Sequence, residues 1–253
     1  MKTALITGAS SGLGAEYARQ LAARGADLVL VARTAATLES VAAAIEAEWG
    51  VRCEILVADL SRSADVGRVA ARLADGGQPI EVLVNNAGFG LSLDFERNEI
   101  DDEVAHLAVH VEAPMRLMHA ALDPMLARGS GRIINVASVA GFIPRSTYGA
   151  CKAWVISFSR WANARYAADG VTVTAVCPGF VHTNFHERLG LPPGEEGVSP
   201  WMWLNAPQVV AESLRDAARG RAVSIPSLRY KVLTGLARMI PASVAARVGT
   251  RGR

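Results

Sequence analysis

Short apolar runs alternate with longer amphipathic stretches along most of the chain. The runs are four to seven residues long, rich in Val, Ile, Leu and Ala, and lie at 2–7, 27–32, 52–58, 80–84, 132–137, 171–177 and 222–225. Continuous apolar runs of this length predict strands that are buried on both faces, as in a parallel sheet. The intervals are long enough for crossover helices. The pattern therefore predicts an α/β fold, a single doubly wound domain with a parallel sheet of about seven strands and helices on both faces.

Helical periodicity fills the intervals between these strands. The predicted helices end near 24, cover 34–49, begin near 63, and cover 99–128, 148–168 and 206–219. The longest of them contains Pro114, which has no backbone donor and whose ring clashes with the preceding turn. We therefore expect this helix to be interrupted and bent at Pro114.

Two segments depart from the alternation. Residues 184–205 lose all periodicity and carry Trp201 and Trp203. Irregular segments of this length inside compact domains are often lids. The two tryptophans suggest either a bulky apolar pocket under such a lid or simple packing on the body of the protein. Residues 228–253 hold six Lys/Arg and no acid, with apolar residues at roughly helical spacing, so we separate a basic amphipathic extension from a domain at 1–227.

The composition limits the class of protein. A chain of 253 residues suits one sizeable domain, and a net charge of +2 gives no general case for a nucleic-acid partner. The three cysteines, Cys53, Cys151 and Cys177, are widely spaced and fit reduced thiols. No signal peptide precedes the first predicted strand, and no apolar run is long enough to span a bilayer. We expect a cytoplasmic protein.

The strongest chemical signal is the pair Tyr148 and Lys152, with Ser138 ten residues upstream. Positions four apart lie on one face of a helix, so the phenol and the ammonium can point at the same small volume. A neighbouring ammonium favours the phenolate and is expected to lower the tyrosine pKa from its reference of about 10. With a serine hydroxyl on the same substrate oxygen, such a trio suits carbonyl reduction, where negative charge develops on oxygen.

Glycine-rich residues follow the first predicted strand and open a helix. They read Gly8-Ala9-Ser10-Ser11-Gly12-Leu13-Gly14. The glycines allow close approach of the backbone to a ligand, and the helix N-terminus presents N–H groups to a phosphate. The pattern is G-x-x-x-G-x-G and not G-x-G-x-x-G, because Tyr17 stands where the last glycine of the latter would be.

Two further turns follow later strands, Asn85-Asn86-Ala87-Gly88 and Pro178-Gly179-Phe180-Val181-His182-Thr183. With these turns in this order around Ser138, Tyr148 and Lys152, the chain resembles the short-chain dehydrogenase/reductase family over about 1–227. The resemblance implies a Rossmann-type catalytic domain. It also implies reversible hydride transfer between NADP(H) and a carbonyl or secondary alcohol of an apolar substrate, such as a 3-oxoacyl thioester, a steroid or another ketone.

The resemblance also implies roles for individual residues. Ser138 would orient the substrate oxygen, Tyr148 would transfer its proton, and Lys152 would lower the tyrosine pKa and bind the nicotinamide ribose. The second and third turns would contact the cofactor, the former against the adenine ribose and the latter beside the nicotinamide and phosphates, through Asn86, Ala87, Gly88, Pro178, Gly179, Val181 and Thr183. The family forms dimers and tetramers, so a homo-oligomer is implied.

Arg33 and Asp59 bear on the choice of cofactor. Arg33 follows the second predicted strand, where an acid would bind the ribose hydroxyls of NAD and where an arginine can accept the 2′-phosphate of NADP. This favours NADP(H), with NAD(H) as the alternative. Asp59-Leu60 follows the third strand; Asp59 matches a family aspartate that holds the adenine amino group, or else it caps the helix that begins near Ser63.

His110 stands where the family usually has an asparagine that holds a water near the catalytic lysine. A neutral histidine can also donate and accept one hydrogen bond each, so we expect His110 to line the cavity beside Lys152 and replace this proton relay. Its reference pKa of about 6.5 predicts a loss of activity on the acid side of neutrality. His106/His110 and His182/His186 have spacings that metal pairs use, but no third ligand is apparent near either, and we predict no metal site.

Two other functions remain open from the sequence. A dinucleotide-binding sensor or scaffold would use the same fold without turnover. A membrane-docked lipid reductase would use the basic extension to lie on an anionic surface. The same extension can instead close over the substrate pocket or dock on the protein's own body or on another subunit.

Overall fold

The computed structural model describes residues 2–183 and 198–237. Its centre is a seven-stranded sheet in which every paired strand is parallel, in the order β3-β2-β1-β4-β5-β6-β7. The predicted fold class is confirmed, and each predicted strand lies within two residues of an observed one. The strands are β1 (Thr3–Thr7), β2 (Asp27–Ala32), β3 (Cys53–Val57), β4 (Val82–Asn85), β5 (Gly131–Val136), β6 (Val171–Val176) and β7 (Val223–Ser224).

Helices cover both faces of this sheet. They are α1 (Gly12–Ala22), α2 (Ala35–Trp49), α3 (Ser63–Ala74), α4 (Ile100–Leu107), α5 (Ala113–Ala127), α6 (Thr147–Tyr166), α7 (Ala206–Ala218) and α8 (Leu228–Ala237). Successive strand residues point to opposite faces. Ile6 of β1 accordingly packs with α1, α2 and α7, whereas Leu5 packs with α3, α5 and α6. The apolar runs of the sequence are continuous because each strand supplies two cores.

The helix predicted over 99–128 is interrupted, as expected, and the interruption is a turn wider than a regular α-helical turn. A π-helical turn at Ala108–Glu112 separates α4 from α5. Pro114 cannot donate to the carbonyl of His110, four residues before it, and its ring would collide with that carbonyl in a regular α-helix. A π turn has one extra residue, so its backbone hydrogen bonds join residues five apart and the regular α-helical pattern is interrupted here. The consequence is that His110 leaves the regular face of the helix.

The irregular segment is described only from residue 198 onward. A short 3₁₀ turn, Pro200–Met202, precedes Leu204, which forms an isolated parallel bridge with Val181. Trp203 stacks on His182 with ring centroids 4.7 Å apart, whereas Trp201 is 55% exposed. Trp203 therefore packs on the body, one of the two expected outcomes. Residues 184–197 of the predicted lid, with His186, lie outside the described residues.

The first part of the basic extension forms α8 and docks on the domain through Tyr230, which is buried in an apolar cluster with Val181, Leu204 and Val209. The Tyr230 hydroxyl accepts a hydrogen bond from the Phe180 backbone N–H and donates one to the Met202 carbonyl, at 3.1 and 2.8 Å. Gly179 makes room for the Tyr230 ring, because a Cβ there would overlap it. The predicted apolar face instead points outward, with Leu228, Val232, Leu233 and Leu236 exposed. The extension beyond residue 237 lies outside the described residues.

Candidate active site

The sequence-predicted cofactor residues lie at one edge of the sheet. The strands run parallel, so the segments that follow their carboxyl ends meet there. The glycine turn follows β1, Arg33 follows β2, Asp59 and Leu60 follow β3, and the remaining two turns follow β4 and β6. Ser138 directly follows β5 and its neighbour Ala137. One edge therefore collects the phosphate-binding candidates and the candidate catalytic residues.

The glycine turn has the shape of a phosphate cradle. Gly8 adopts φ +66°, a backbone conformation that favours glycine, and a Cβ on Gly14 would lie 2.1 Å from the Gly8 carbonyl oxygen. Helix α1 begins at Gly12 with Ser11 at its N-cap position, and its first turn contains no acid. Its N-terminal N–H groups and dipole therefore favour an anion. The Thr183 side chain comes within 3.3 Å of a Cβ placed on Gly12, which joins the β6 turn to this cradle.

The β4 turn is tied to the end of β1. The Thr7 hydroxyl oxygen accepts hydrogen bonds from the backbone N–H groups of Asn86 and Ala87, at 2.9 and 3.0 Å. The Asn86 amide in turn donates to the Thr7 carbonyl at 2.9 Å. These three hydrogen bonds brace the β4 turn against the central sheet.

Arg33 and Asp59 follow the neighbouring strands β2 and β3 at the same edge of the sheet. Arg33 is exposed, and the ion pairs between described residues leave its guanidinium unengaged. Asp59 does not cap α3, whose N-cap is Arg62; its carboxylate accepts hydrogen bonds from the backbone and hydroxyl of Ser61 at 3.0 and 2.8 Å. The capping alternative for Asp59 is therefore wrong.

Ser138, Tyr148 and Lys152 come together where the sequence places them. Helix α6 is capped by Ser146, whose hydroxyl accepts a hydrogen bond from the Gly149 N–H, and this fixes the first turn that carries Tyr148. The Lys152 Nζ lies 5.4 Å from the Tyr148 ring centroid and donates to the Val136 carbonyl at 2.8 Å. Ser138 hydrogen-bonds with Tyr148. A phenol, a hydroxyl and an ammonium thus lie together beyond the carboxyl end of β5, with Lys152 buried and the other two side chains half-buried.

Burial, and not the neighbouring ammonium, dominates the ionisation of this trio. Desolvation raises the pKa of Tyr148 to about 12, and the Ser138 hydrogen bond acts in the opposite direction. Desolvation likewise lowers the pKa of Lys152 to about 8. The expected net lowering of the Tyr148 pKa is therefore wrong for this structure. Removing the phenolate from water costs more free energy than the hydrogen bond with Ser138 restores. The phenol is protonated near neutrality and is a proton donor.

His110 lies in the π turn beside Tyr148, with ring centroids 5.5 Å apart. Its imidazole is 2% exposed and packs on Gly88, where a Cβ would lie 2.5 Å from its Cε1. Burial lowers the pKa of His110 well below 6.5, and the positive charge of Lys152 lowers it further. The imidazole therefore stays neutral through mildly acidic pH, and the acid-side loss expected from its reference pKa moves to lower pH.

A second layer of polar residues holds the trio, and sequence analysis missed it. Asn135 lies inside β5, accepts a hydrogen bond from Asn85 and donates one to Ser159, both at 2.9 Å. Ser159 is seven residues after Lys152, on the same face of α6. These bonds fix α6 against the sheet. The signal available in the sequence is an asparagine inside an otherwise apolar strand.

His106 is a further residue near the site that the sequence analysis did not assign to it. Its ring lies beside those of His110 and Tyr148, at centroid distances of 4.3 and 6.0 Å. The described residues contain no group of three side chains arranged to hold a metal ion. Of the second histidine pair, only His182 is described, and it stacks on Trp203.

The family model of short chain dehydrogenases matches residues 2–192. A very-long-chain 3-oxoacyl-CoA reductase of Anas platyrhynchos is 34% identical over 189 residues, which are 72% of this chain but only 60% of that protein. A 3-oxoacyl-[acyl-carrier-protein] reductase of Synechocystis sp. is 33% identical over 227 residues, 88% of this chain and 91% of that protein.

A solved structure agrees with these relatives. A short-chain dehydrogenase from Sphingobium yanoikuyae, determined in complex with NADPH, is 36% identical, superposes with a TM-score of 0.85, and matches 94% of each chain. The fold and site define a dinucleotide-dependent oxidoreductase. The chain belongs to the short-chain dehydrogenase/reductase family, whose members are NAD(P)-dependent oxidoreductases.

Proposed function

We propose that this protein is an NADP(H)-preferring reductase that transfers a hydride to the carbonyl of an apolar ketone, and reverses the reaction on the corresponding secondary alcohol. The observation that carries the proposal is the association of Ser138, Tyr148 and Lys152 at the sheet edge that also holds the glycine cradle. The sensor alternative needs a damaged site, whereas this one is whole.

NADP(H) preference is supported by Arg33. An exposed guanidinium without an ion-pair partner among the described residues is available for a 2′-phosphate, and it follows β2, where the ribose hydroxyls of a dinucleotide are read. The glycine cradle and Thr183 fit the diphosphate, Asp59 fits the adenine, and Asn86 fits its ribose. The Sphingobium relative binds NADPH. NAD(H) remains the alternative cofactor.

The cofactor supplies the hydride, and the chain supplies the proton and the binding geometry. Ser138 holds the carbonyl oxygen by a hydrogen bond. Tyr148 then donates its phenolic proton to the oxygen as negative charge develops there. The Lys152 ammonium stabilises the phenolate left behind and would also hold the nicotinamide ribose of the bound cofactor. Because burial keeps Tyr148 protonated near neutral pH, the resting site is prepared for reduction.

An apolar substrate is supported by the aromatic side chains at this edge. Phe89 follows the β4 turn and packs edge-on against His106, while Phe180 and Trp203 lie on the β6 side with ring centroids 5.7 Å apart. The relatives named above act on 3-oxoacyl groups. We therefore rank 3-oxoacyl thioesters first, with steroid-like and other bulky ketones next.

The experiment is a substrate panel that follows NADPH absorbance. We expect oxidation of NADPH with at least one 3-oxoacyl or bulky ketone, and a much slower reaction with NADH. Measurable NADPH binding without turnover across the panel would favour a sensor or scaffold. Equal affinity for both cofactors would contradict the preference assigned to Arg33.

We also propose that the protein forms a homo-oligomer. Helix α4 exposes Ile100, Val104 and Leu107, and α6 exposes Trp161, each more than half accessible to solvent. Apolar side chains of this number on neighbouring helices mark association surfaces. Light scattering after size exclusion tests this, and a monomer at micromolar concentration would contradict it.

A cytoplasmic location is proposed on the state of the cysteines, which are all free in the structure. None of the helices in the described ranges combines the length and the apolar character needed to cross a bilayer. Peripheral membrane contact through the outward face of α8 is the competing candidate, and co-sedimentation with anionic liposomes tests it.

A further inference from the structure

Tyr230 of α8 packs against several segments of the candidate site. Its side chain is 2% exposed and lies in an apolar cluster with Val181 of the β6 turn, residues 178–183. Leu13 of the glycine cradle and Val139, which follows the candidate catalytic Ser138, pack against the same cluster. A residue of the C-terminal extension therefore supports the cradle, the catalytic segment and the β6 turn together.

The β6 turn pairs with the segment that leads into α7. The Leu204 N–H donates to the Phe180 carbonyl at 2.8 Å, and the Leu204 carbonyl accepts from the His182 N–H at 3.0 Å. These two bonds form the parallel bridge between Val181 and Leu204. In a parallel pair such bonds recur at every second residue, so the next bond of the series would join the Phe180 N–H to the Met202 carbonyl.

The Tyr230 hydroxyl occupies the place of that next bond. The Phe180 N–H donates to the hydroxyl oxygen at 3.1 Å, and the hydroxyl donates to the Met202 carbonyl at 2.8 Å. The two backbone groups are therefore linked through an inserted oxygen, and they are held farther apart than a direct hydrogen bond of about 2.9 Å would hold them. Gly179 permits this arrangement, because a Cβ at that position would overlap the Tyr230 ring.

The β6 turn transmits this spacing to the candidate site at both of its ends. The Thr183 side chain comes within 3.3 Å of a Cβ placed on Gly12 of the cradle. The Pro178 carbonyl accepts a hydrogen bond from the Val139 N–H at 3.0 Å. A change in spacing at the Tyr230 hydroxyl would therefore move the turn relative to the cradle and to the catalytic segment.

We propose that Tyr230 is a positioning residue for the nicotinamide half of the cofactor. The inference rests on the proposed function, in which the β6 turn lies beside the nicotinamide and the phosphates. The hydroxyl sets the spacing of the turn, and the turn sets the place of Thr183 against the cradle. The adenosine half, which is assigned to the segments after β2, β3 and β4, is not contacted by this arrangement. Burial raises the pKa of Tyr230, so near neutral pH the hydroxyl keeps the proton that it donates.

A separate contact holds the beginning of α8. The Glu212 carboxylate on α7 accepts a hydrogen bond from the Ser227 N–H at 3.0 Å and lies 4.0 Å from the Lys231 ammonium. Ser227 has a φ of +80°, which is uncommon for a residue with a side chain, and this contact helps to fix it. Because the contact does not involve Tyr230, the beginning of α8 should stay in place when the hydroxyl is removed. The effect should then be confined to the β6 turn.

The test compares Tyr230→Phe with Tyr166→Phe, a half-buried tyrosine whose hydroxyl makes no hydrogen bond to another described residue. Isothermal titration calorimetry, at a temperature at which both variants are folded, measures the binding of NADP⁺ and of 2′,5′-ADP. The second ligand carries the adenosine and the 2′-phosphate but no nicotinamide. We expect Tyr230→Phe to weaken NADP⁺ binding roughly fivefold or more, as for the loss of one hydrogen bond, and to keep the 2′,5′-ADP affinity within about twofold.

Tyr166→Phe should match the native protein with both ligands. Equal weakening of the two ligands in Tyr230→Phe would show a general loss of structure and overturn the positioning role, and so would unchanged NADP⁺ affinity. Native protein that binds neither ligand would instead overturn the proposed function, so the two failures are distinguishable.

Amide hydrogen exchange gives a second measurement without any ligand. In Tyr230→Phe the Phe180 amide should exchange faster than in the native protein, because it has lost the hydroxyl that accepts its hydrogen bond. The Leu204 amide, which donates to the Phe180 carbonyl, should keep its protection. Unchanged exchange at Phe180, or equal loss of protection at both amides, would overturn the role assigned to the hydroxyl.

Discussion

Replacing Tyr230 by Phe tests whether α8 is part of the domain. The substitution keeps the ring against Gly179 but removes a hydroxyl that serves two backbone groups, the Phe180 N–H and the Met202 carbonyl. Each such bond contributes about 0.5–1.5 kcal/mol net, so the loss should be about 1–3 kcal/mol. For a chain of this size 1 kcal/mol corresponds to about 2–4 °C, which predicts a fall in Tm of roughly 2–12 °C.

The assay is thermal unfolding followed by circular dichroism, with Tyr166→Phe as the control. Tyr166 is half-buried, and its hydroxyl makes no hydrogen bond to another described residue, so this variant should stay within about 0.5 kcal/mol of the native protein. Tyr230→Phe should also raise the KM for NADPH, because Phe180 belongs to the turn that carries Thr183 to the glycine cradle. If the two variants melt within one degree of each other, the anchoring of α8 through Tyr230 is refuted.

Four further outcomes are expected. Tyr148→Phe should bind NADPH normally and lose about 10²–10⁴-fold in kcat, and near-normal turnover would remove Tyr148 as the donor. Arg33→Ala should weaken NADPH binding much more than NADH binding, as measured by fluorescence titration. The kcat/KM for reduction should decline above about pH 8, because Lys152 is charged below its lowered pKa and neutral above it; a flat profile to pH 9.5 would contradict this. Truncation before Leu228 should lower Tm or change oligomer size, whereas loss of liposome binding alone would support the membrane alternative.

Hydrophobic patterning predicted most of the architecture, because each strand is buried on both faces and so appears as an uninterrupted apolar run. The position of each candidate site residue relative to a strand end followed from the same pattern. The division of the long helix was visible only as Pro114. That His110 of the resulting π turn packs on Gly88 is a tertiary contact, which no local pattern encodes.

Neither the pKa of Tyr148 nor the side of α8 that faces the domain could be predicted from the spacing of residues in the sequence. The pairing of Tyr148 with Lys152 was evident, but the rise in the tyrosine pKa depends on how completely the site is buried. The apolar spacing of α8 left open whether this helix contacts the protein's own body, another subunit or a membrane. The tertiary structure anchors α8 on the domain through Tyr230, since a hydroxyl on a large ring can satisfy two backbone groups that an aliphatic side chain would leave unpaired.

The hydroxyl of Tyr17 and that of Ser213 lie 2.6 Å apart although 196 residues separate them. Tyr17 is fully buried in the same core as Leu214 and Ala217 of α7. During synthesis, the first β-α unit therefore exposes one apolar side until α7 has left the ribosome. At about 5–20 residues per second this interval is roughly 10–40 s. The order of the chain thus delays completion of this core, and an apolar surface of the nascent N-terminal half stays uncovered until α7 is made.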